Sequence, residues 1–191
     1  LYLSKMKKDI SKKINLLIIG GSQGAKLFDT VIGESIINLS KKYKLKIFHQ
    51  TSLKNYDNLS NFYLCNNIEN ELFDFSEDIF SFMNKSNISI SRAGASTLAE
   101  LIYLEIPHIA IPLPSAKDNH QFENAFFYDQ LGCNWILNQN EISSKKLTDK
   151  LVNIIENKEE YLIKKKNMES FNYQNTWNNI NQKIKSTINE N

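Results

Sequence analysis

Short apolar runs alternate along the chain with stretches in which apolar residues recur every three or four positions. The first run, residues 14–19, is almost wholly apolar and ends in two glycines, as a strand buried on both faces does. Further strand candidates are residues 45–49, 62–65, 88–91, 108–111 and 134–137, and helix candidates are residues 27–39, 78–83, 95–104 and 121–131. This alternation predicts an α/β fold with a mostly parallel sheet and right-handed crossovers.

The pattern becomes purely helical from about residue 142 onward. Near the end of the chain an apolar stripe recurs at helical spacing, formed by Trp177, Ile180, Ile184 and Ile188. Such a stripe needs another surface to lie against. We therefore expect this apolar stripe to pack against a surface outside the helix itself.

Length and composition narrow the class of protein. A chain of 191 residues with 41% hydrophobic residues can form one domain with a substantial core, and its composition excludes a disordered or disulfide-rich protein. No apolar run approaches the roughly 18 residues of a membrane span. All but one of the 23 basic residues are lysine, and the lone Arg92 argues against a sequence-specific nucleic-acid binder.

The first candidate site is the glycine-rich turn after the first strand, Gly20-Gly21-Ser22-Gln23-Gly24-Ala25. Glycines let the backbone approach a ligand closely, and free N–H groups at a helix start favour an anion such as a diphosphate. The turn is neither the dinucleotide motif GxGxxG nor a P-loop, because its first position is preceded by Ile and no Lys-Ser/Thr pair follows. From this segment alone, phosphate binding and a simple tight turn remain equally open.

The second candidate site follows the strand at 88–91 and reads Ser91-Arg92-Ala93-Gly94-Ala95-Ser96-Thr97-Leu98-Ala99-Glu100. Small residues leave room for a ligand over the helix start, where Ser96 and Thr97 could donate hydrogen bonds to phosphate. Glu100, one turn into the helix, is placed to accept both hydroxyls of a ribose. A structural alternative stays open, since Thr97 and Glu100 also fit a capping box.

The third candidate site is the loop after the strand at 108–111, stiffened by two prolines and followed by Asp118-Asn119-His120-Gln121-Phe122-Glu123-Asn124. His120, Gln121 and Asn124 offer imidazole and amide groups suited to the hydroxyls of a sugar. Alternatively, Asp118 and Gln121 could form a helix cap and its reciprocal partner.

All three turns are expected on one rim, because open parallel sheets bind ligands outside the carboxyl ends of their strands. Together they offer a diphosphate cradle, a ribose acceptor and sugar-binding amides, which fits a nucleotide-sugar site. The sequence has no Asp-x-Asp pair for a divalent ion and no motif for a covalent nucleophile. We therefore expect a site that uses no metal and no cofactor, where helix N-termini stabilise the leaving group.

These three motifs, in this order within residues 14–157, resemble the MurG family. That family comprises the bacterial N-acetylglucosaminyltransferases that convert lipid I to lipid II in peptidoglycan synthesis, with roles in cell-wall biogenesis, cell shape, cell division and the cell cycle. The resemblance implies the C-terminal domain of a GT-B glycosyltransferase, a Rossmann-like parallel sheet flanked by helices. It divides the chain into a leading segment 1–13, a donor-binding domain 14–157, and C-terminal helices 158–191 that pack back toward an N-terminal domain.

The resemblance also implies which residues bind the donor, UDP-N-acetylglucosamine. Those expected along the diphosphate are Gly21, Ser22, Gln23, Gly24, Gly94, Ala95, Ser96 and Thr97. Those expected at the N-acetylglucosamine are His120, Gln121 and Asn124. Glu100 would accept the ribose hydroxyls, and the backbone of Ser76 would contact uracil at a position where the family usually has a larger apolar residue.

The rest of the reaction is implied to lie outside this chain. In the family, the acceptor-binding residues and the candidate base belong to the N-terminal half, so we expect no catalytic residue here and donor binding without turnover. The family also has an Arg in the interdomain linker near uracil, whereas residues 1–13 contain none. The implied partners are the donor, lipid I through the N-terminal half, and the cytoplasmic face of the inner membrane as a peripheral surface, with no nucleic acid.

Three other functions remain under consideration. One is a stand-alone sugar-nucleotide subunit that works with a separate acceptor-binding chain, and another is a non-catalytic nucleotide-binding module that would bind UDP and UDP-sugars equally well. A dinucleotide oxidoreductase is disfavoured by the missing GxGxxG motif. Because the chain opens at Leu1 instead of Met, we expect an upstream segment.

Overall fold

A computed structural model describes residues 13–20, 28–75, 78–176 and 179–183. Within these ranges six strands form one parallel sheet in the order β3-β2-β1-β4-β5-β6. The strands are β1 (Ile14–Ile19), β2 (Leu45–Gln50), β3 (Glu69–Phe73), β4 (Ile88–Ser91), β5 (His108–Ala110) and β6 (Trp135–Ile136). The expectation of an α/β fold with a parallel sheet is confirmed.

Helices cover both faces of this sheet. They are α1 (Gly33–Ser40), which continues a π-helical turn at Phe28–Ile32, α2 (Leu53–Cys65), α3 (Ile79–Lys85), α4 (Ala95–Tyr103), α5 (His120–Gln130), α6 (Ser144–Glu156) and α7 (Lys158–Gln174). Helices α1, α2 and α6 pack on one face and α3, α4 and α5 on the other. The result is three layers with the sheet in the middle.

Strand β1 shows why its sequence is almost continuously apolar. Leu16 and Ile18 point into the core shared with α1 and α6, whereas Leu17 and Ile19 point into the core shared with α3 and α4. All four side chains are buried, because a central parallel strand is covered on both faces. The predicted strand at residues 14–19 is confirmed at both ends.

One predicted strand is wrong. Residues 62–65 form the last turn of helix α2, and the third strand lies further on, at Glu69–Phe73. Within α2, Leu59 and Tyr63 are buried four residues apart, while Leu64 is 72% exposed. The short apolar run is therefore one face of a helix together with a single solvent-exposed leucine.

The true third strand was missed because it is polar and lies at the edge of the sheet. Glu69 forms an ion pair with Lys13 at 2.7 Å, and Lys46 lies within 3.6 Å of both Glu69 and Glu71. The hydrogen bond from Lys13 lowers the pKa of the Glu69 carboxyl below its usual value. Charged residues on an exposed edge strand are common, since they oppose unwanted strand pairing.

Helix α7 runs along the end of the sheet where the strands begin. The Tyr161 hydroxyl donates to the carbonyl of Asn87, just before β4, and the Lys164 ammonium donates to the carbonyl of Asn134, just before β6. Met168 then packs with Ile102 of α4. The opposite end of the sheet, where the strands finish, is left uncovered by α7.

Two features predicted for the termini lie largely outside the described residues. These are the leading segment and most of the apolar stripe, of which only Ile180 falls within a described helical turn. The division at residue 157 and the return of the last helices toward an N-terminal domain stay predictions. In the part of the chain that the structure covers, no helix is long and apolar enough to cross a bilayer.

Two histidines are buried inside the domain. His49 of β2 lies 2.8 Å from the Tyr63 hydroxyl, and Nδ1 of His108 in β5 donates to the carbonyl of Ile106 at 3.0 Å. Burial lowers the pKa of His49 to about 3 and that of His108 to about 4. Both imidazoles are therefore neutral in the folded protein at pH 7.

The buried histidines predict a loss of stability in mild acid. The unfolded chain takes up protons near pH 6.5, whereas the folded chain does not until about pH 4, so stability is full above pH 6.5 and falls as the pH is lowered. The expected slope between pH 6 and 5 is up to about 1.4 kcal/mol per pH unit for each histidine. Urea unfolding at these two pH values measures it.

A matched pair of variants identifies the source of that slope. His49→Gln and His108→Gln are each expected to lower the slope by the contribution of one proton, because each removes one buried imidazole. An acid slope that persists in full in both His49→Gln and His108→Gln would contradict the assignment.

Candidate functional site

The strand order places a crevice between β1 and β4. From β1 the chain turns toward β2 and β3 on one side, and from β4 it turns toward β5 and β6 on the other. Because the connections diverge, the carboxyl ends of these two neighbouring strands open onto a shared crevice, the usual ligand position in such sheets. Gly20 follows β1 here, and the segment from Arg92 to Gly94 follows β4.

Helix α4 starts at this crevice with no side-chain cap. Its N-cap is Gly94, which has no side chain to accept a hydrogen bond, and the first intrahelical bond runs from the Leu98 N–H to the Gly94 carbonyl. The N–H groups of Ala95, Ser96 and Thr97 precede that bond and lack helical partners. Ala95 and Ser96 are exposed. The helix therefore presents partial positive charge to the crevice.

The capping-box alternative for this segment is wrong. The structure puts Thr97 at the third helical position instead of the cap, and Glu100 three residues deeper in the helix. The glycine at the cap is not required by the backbone either, since its φ of −67° and ψ of 139° suit any residue. Among the described residues, a Cβ placed on Gly94 would meet only the Thr97 hydroxyl oxygen, at 3.9 Å. The described part of the chain thus leaves open space beside this N-terminus.

Glu100 is half-buried one turn into α4. No hydrogen bond or ion pair to its carboxylate occurs among the described residues. Burial raises the pKa of the Glu100 carboxyl above its usual value. A partly desolvated carboxylate without protein donors gains most from a ligand that supplies O–H or N–H groups.

The loop between β5 and α5 brings the third motif to the same rim. The Gln121 side-chain oxygen accepts from the Leu113 N–H at 3.0 Å, and its amide NH₂ group has no partner among the described residues. The His120 Nδ1–H donates to the carbonyl of Lys117 at 2.6 Å, and His120 is exposed. The proposed cap between Asp118 and Gln121 is wrong, because the N-cap of α5 is Asn119 and it makes no side-chain cap bond.

Side chains also link this loop to the turn before α4. The Asn124 amide donates to the carbonyl of Ala93 at 3.1 Å. The buried Arg92 guanidinium donates to the carbonyls of Ile111 at 3.2 Å and Pro112 at 3.4 Å. The resemblance implies a sugar contact for Asn124 and assigns no contact to Arg92. None of these three contacts has a sequence signal, since all three acceptors are backbone carbonyls.

Two adjacent residues of the same loop, Asp118 and Asn119, have left-handed backbone conformations, with φ of 51° and 55°. Each such residue other than glycine costs free energy, and such positions occur often at binding sites. Neither side chain makes a hydrogen bond among the described residues. Their conformation therefore follows from the path of the loop, which is held by Gln121.

The structure thus brings two of the three motifs together and leaves the first partly undescribed. Gly21, Ser22, Gln23, Gly24 and Ser76 lie outside the described residues, and their roles stay predictions. Gly94, Ala95, Ser96, Thr97 and Glu100 share the start of α4. Across the described ranges, no three His, Cys, Asp or Glu side chains are grouped so that they could hold a metal ion.

Comparison with known proteins identifies the family of this fold and site. The family model for the glycosyltransferase family 28 C-terminal domain matches residues 15–183. The chain belongs to this family. The family-28 assignment agrees with the resemblance to MurG drawn from the three motifs.

Relatives of this family-28 chain are named UDP-N-acetylglucosamine--N-acetylmuramyl-(pentapeptide) pyrophosphoryl-undecaprenol N-acetylglucosamine transferase. The relative from Pelagibacter ubique (strain HTCC1062) is 61% identical over 97% of this chain and 53% of its own length. The relative from Rickettsia bellii (strain RML369-C) is 42% identical over 80% of this chain and 44% of its own length. The chain spans about half the length of these curated relatives.

The crystal structure of Acinetobacter baumannii MurG matches the family-28 fold with a TM-score of 0.72. The match is 27% identical in sequence and covers 86% of this chain and 47% of that one. The expectation of a Rossmann-like sheet as found in the C-terminal domain of GT-B glycosyltransferases is therefore confirmed.

The strained loop yields a prediction about stability. Asp118→Gly is expected to be about 1 kcal/mol more stable than Asp118→Ala, because only glycine adopts the left-handed conformation without a Cβ clash. Both variants remove the same exposed side chain, so the comparison isolates the backbone. Urea unfolding of the two proteins measures the difference, and equal stabilities would mean that residue 118 is not left-handed in solution.

Proposed function

We propose that this chain binds UDP-N-acetylglucosamine as the donor half of an inverting glycosyltransferase. In that role it supports transfer of N-acetylglucosamine to lipid I, which yields lipid II for peptidoglycan. The names of the relatives from Pelagibacter ubique and Rickettsia bellii supply the donor and the reaction class. The acceptor lipid, the catalytic base and contact with the membrane surface belong to the remainder of the full-length enzyme in this proposal.

The observation that carries the proposal is the uncapped start of α4 together with the Glu100 carboxylate one turn inside it, which has no partner among the described residues. The N–H groups of residues 95–97 suit a diphosphate, since they donate hydrogen bonds and carry the positive end of the helix dipole. Glu100 suits the vicinal hydroxyls of a ribose, which donate the hydrogen bonds it lacks. A nucleoside diphosphate has these two groups next to each other.

The sugar would extend toward the start of α5. There the Gln121 NH₂ group can donate to a sugar oxygen, because its own oxygen is held by Leu113. With Nδ1 of His120 donating to Lys117, Nε2 is the ring nitrogen left to face a sugar hydroxyl. Ser22 and its neighbours in the glycine-rich turn would contact the diphosphate from the β1 side. The backbone of Ser76 would contact uracil.

The proposed reaction needs the donor half for one task in particular. An acceptor hydroxyl attacks the anomeric carbon, the bond from that carbon to the phosphate oxygen breaks, and the acceptor proton passes to a base outside this chain. UDP leaves with additional negative charge on its terminal phosphate. Backbone N–H groups of α4, already oriented toward that phosphate, stabilise this charge without a metal ion.

The carboxylate predicts a specific binding defect. Glu100→Gln is expected to weaken UDP-N-acetylglucosamine binding by about 1–3 kcal/mol, because charge-assisted hydrogen bonds to the ribose are lost. Glu105→Gln, two residues beyond the C-terminal end of the same helix, serves as the matched control and should bind normally. Calorimetric titration with UDP-N-acetylglucosamine, UDP-glucose and UDP measures all three affinities.

The same titrations separate the proposed function from the simpler alternative. The donor half is expected to bind UDP-N-acetylglucosamine more tightly than UDP, since the sugar adds contacts. Equal affinities would favour a non-catalytic nucleotide-binding module. An unchanged donor affinity in Glu100→Gln would remove the ribose role from that residue.

The space beside Gly94 gives a second prediction. Gly94→Ala is expected to cost less than about 1 kcal/mol of folding free energy, because the one described atom that the added Cβ meets is the Thr97 hydroxyl oxygen, at 3.9 Å. The same methyl group would occupy the position of a diphosphate at the helix start, so donor affinity should fall at least roughly tenfold. Paired melting and titration experiments test it; full binding by a folded Gly94→Ala protein would place the diphosphate elsewhere.

A further inference from the structure

Three side chains join the turn before α4 and the loop before α5 in a closed circuit of hydrogen bonds. Asn124 of α5 holds the Ala93 carbonyl, and the neighbouring Arg92 holds the Ile111 and Pro112 carbonyls. The next residue along, Leu113, donates its N–H to Gln121, which lies in α5 three positions before Asn124. The turn before α4 and the loop before α5 are therefore tied to each other at both ends.

Within this circuit the Asn124 contact sits directly beside the start of α4. Ala93 is the residue before the N-cap Gly94, so the position of its carbonyl determines where the first free N–H groups of the helix lie. The N-cap has no side chain of its own to hold this end of the helix. The Asn124 NH₂ group, half-buried and directed at the carbonyl, supplies that restraint from the neighbouring helix.

We propose that Asn124 is a positioning residue for the diphosphate subsite rather than a ligand of the sugar. It acts through the Ala93 carbonyl, by holding the N-terminus of α4 in place against the loop before α5. This inference rests on the proposed donor site. It is offered in place of the expectation that Asn124 faces N-acetylglucosamine, because the NH₂ group of Asn124 already donates a hydrogen bond to the protein backbone.

A pair of isosteric variants tests this role in the full chain. Asn124→Leu keeps the size of the side chain, adds no charge and removes the bond to Ala93. Asn172→Leu is the matched control. Asn172 of α7 donates to the carbonyls of Ile102 and Tyr103, at 3.0 and 3.3 Å, and so contacts the C-terminal end of α4 instead of its start. Titration of each protein with UDP and with UDP-N-acetylglucosamine gives the affinities.

Asn124→Leu is expected to weaken the binding of UDP and of UDP-N-acetylglucosamine by the same factor, about fivefold. The ratio of the two affinities then stays constant. Asn172→Leu is expected to leave both affinities unchanged. A loss confined to UDP-N-acetylglucosamine would make Asn124 a sugar ligand and overturn the proposal. Unchanged affinities for both nucleotides would overturn it as well.

A measurement without ligand keeps this inference separate from the proposed function. Amide hydrogen exchange at Leu98, whose N–H donates to Gly94, should be faster in Asn124→Leu than in the unaltered chain and unaffected in Asn172→Leu. If the unaltered chain binds neither nucleotide, the proposed function fails while the exchange result still decides the positioning role. Equal exchange in all three proteins would overturn it. Asn124→Ala serves as a second variant if the leucine side chain prevents folding.

Discussion

The parallel pairing of β1 with β4 is the constraint on which the rest of the domain depends. Ile19 and Ser91 lie opposite each other at the ends of these strands, and the Arg92 N–H continues the ladder by donating to the Ile19 carbonyl at 3.0 Å. Because the connections from these two strands run to opposite sides, the crevice lies at their carboxyl ends. The glycine-rich turn and the start of α4 both issue from this one pair of strands.

Elements buried on both faces could be predicted from the sequence with good precision. β1 and β4 have the predicted ends, and α4 differs by one residue, because continuous burial leaves a strong apolar signal. The edge of the sheet could not be predicted in the same way. Its strand carries Glu69 and Glu71, whose partners are lysines distant in sequence, whereas the apolar run at 62–65 belongs to a helix.

The candidate site could likewise be predicted from the sequence only in part. The sequence identified the chemistry that reaches the rim, since glycine turns, Glu100 and the amides of α5 are visible as residue types at the ends of strands. It could not show which partner each polar group chooses. Asn124 and Gln121 have amides that suit a sugar and a backbone equally well, and only the three-dimensional path of the two turns brings Ala93 and Leu113 to them. The same holds for Arg92.

The charged outer strand has a consequence for the behaviour of the protein in concentrated solution. β3 ends the sheet with unpaired backbone groups, and Glu69 and Glu71 with Lys13, Lys46 and Lys85 surround them with alternating charge. A second molecule that approached this edge would have to strip water from those ions before any ladder could form. The ions at this edge therefore oppose the joining of two copies of the domain through their outer strands.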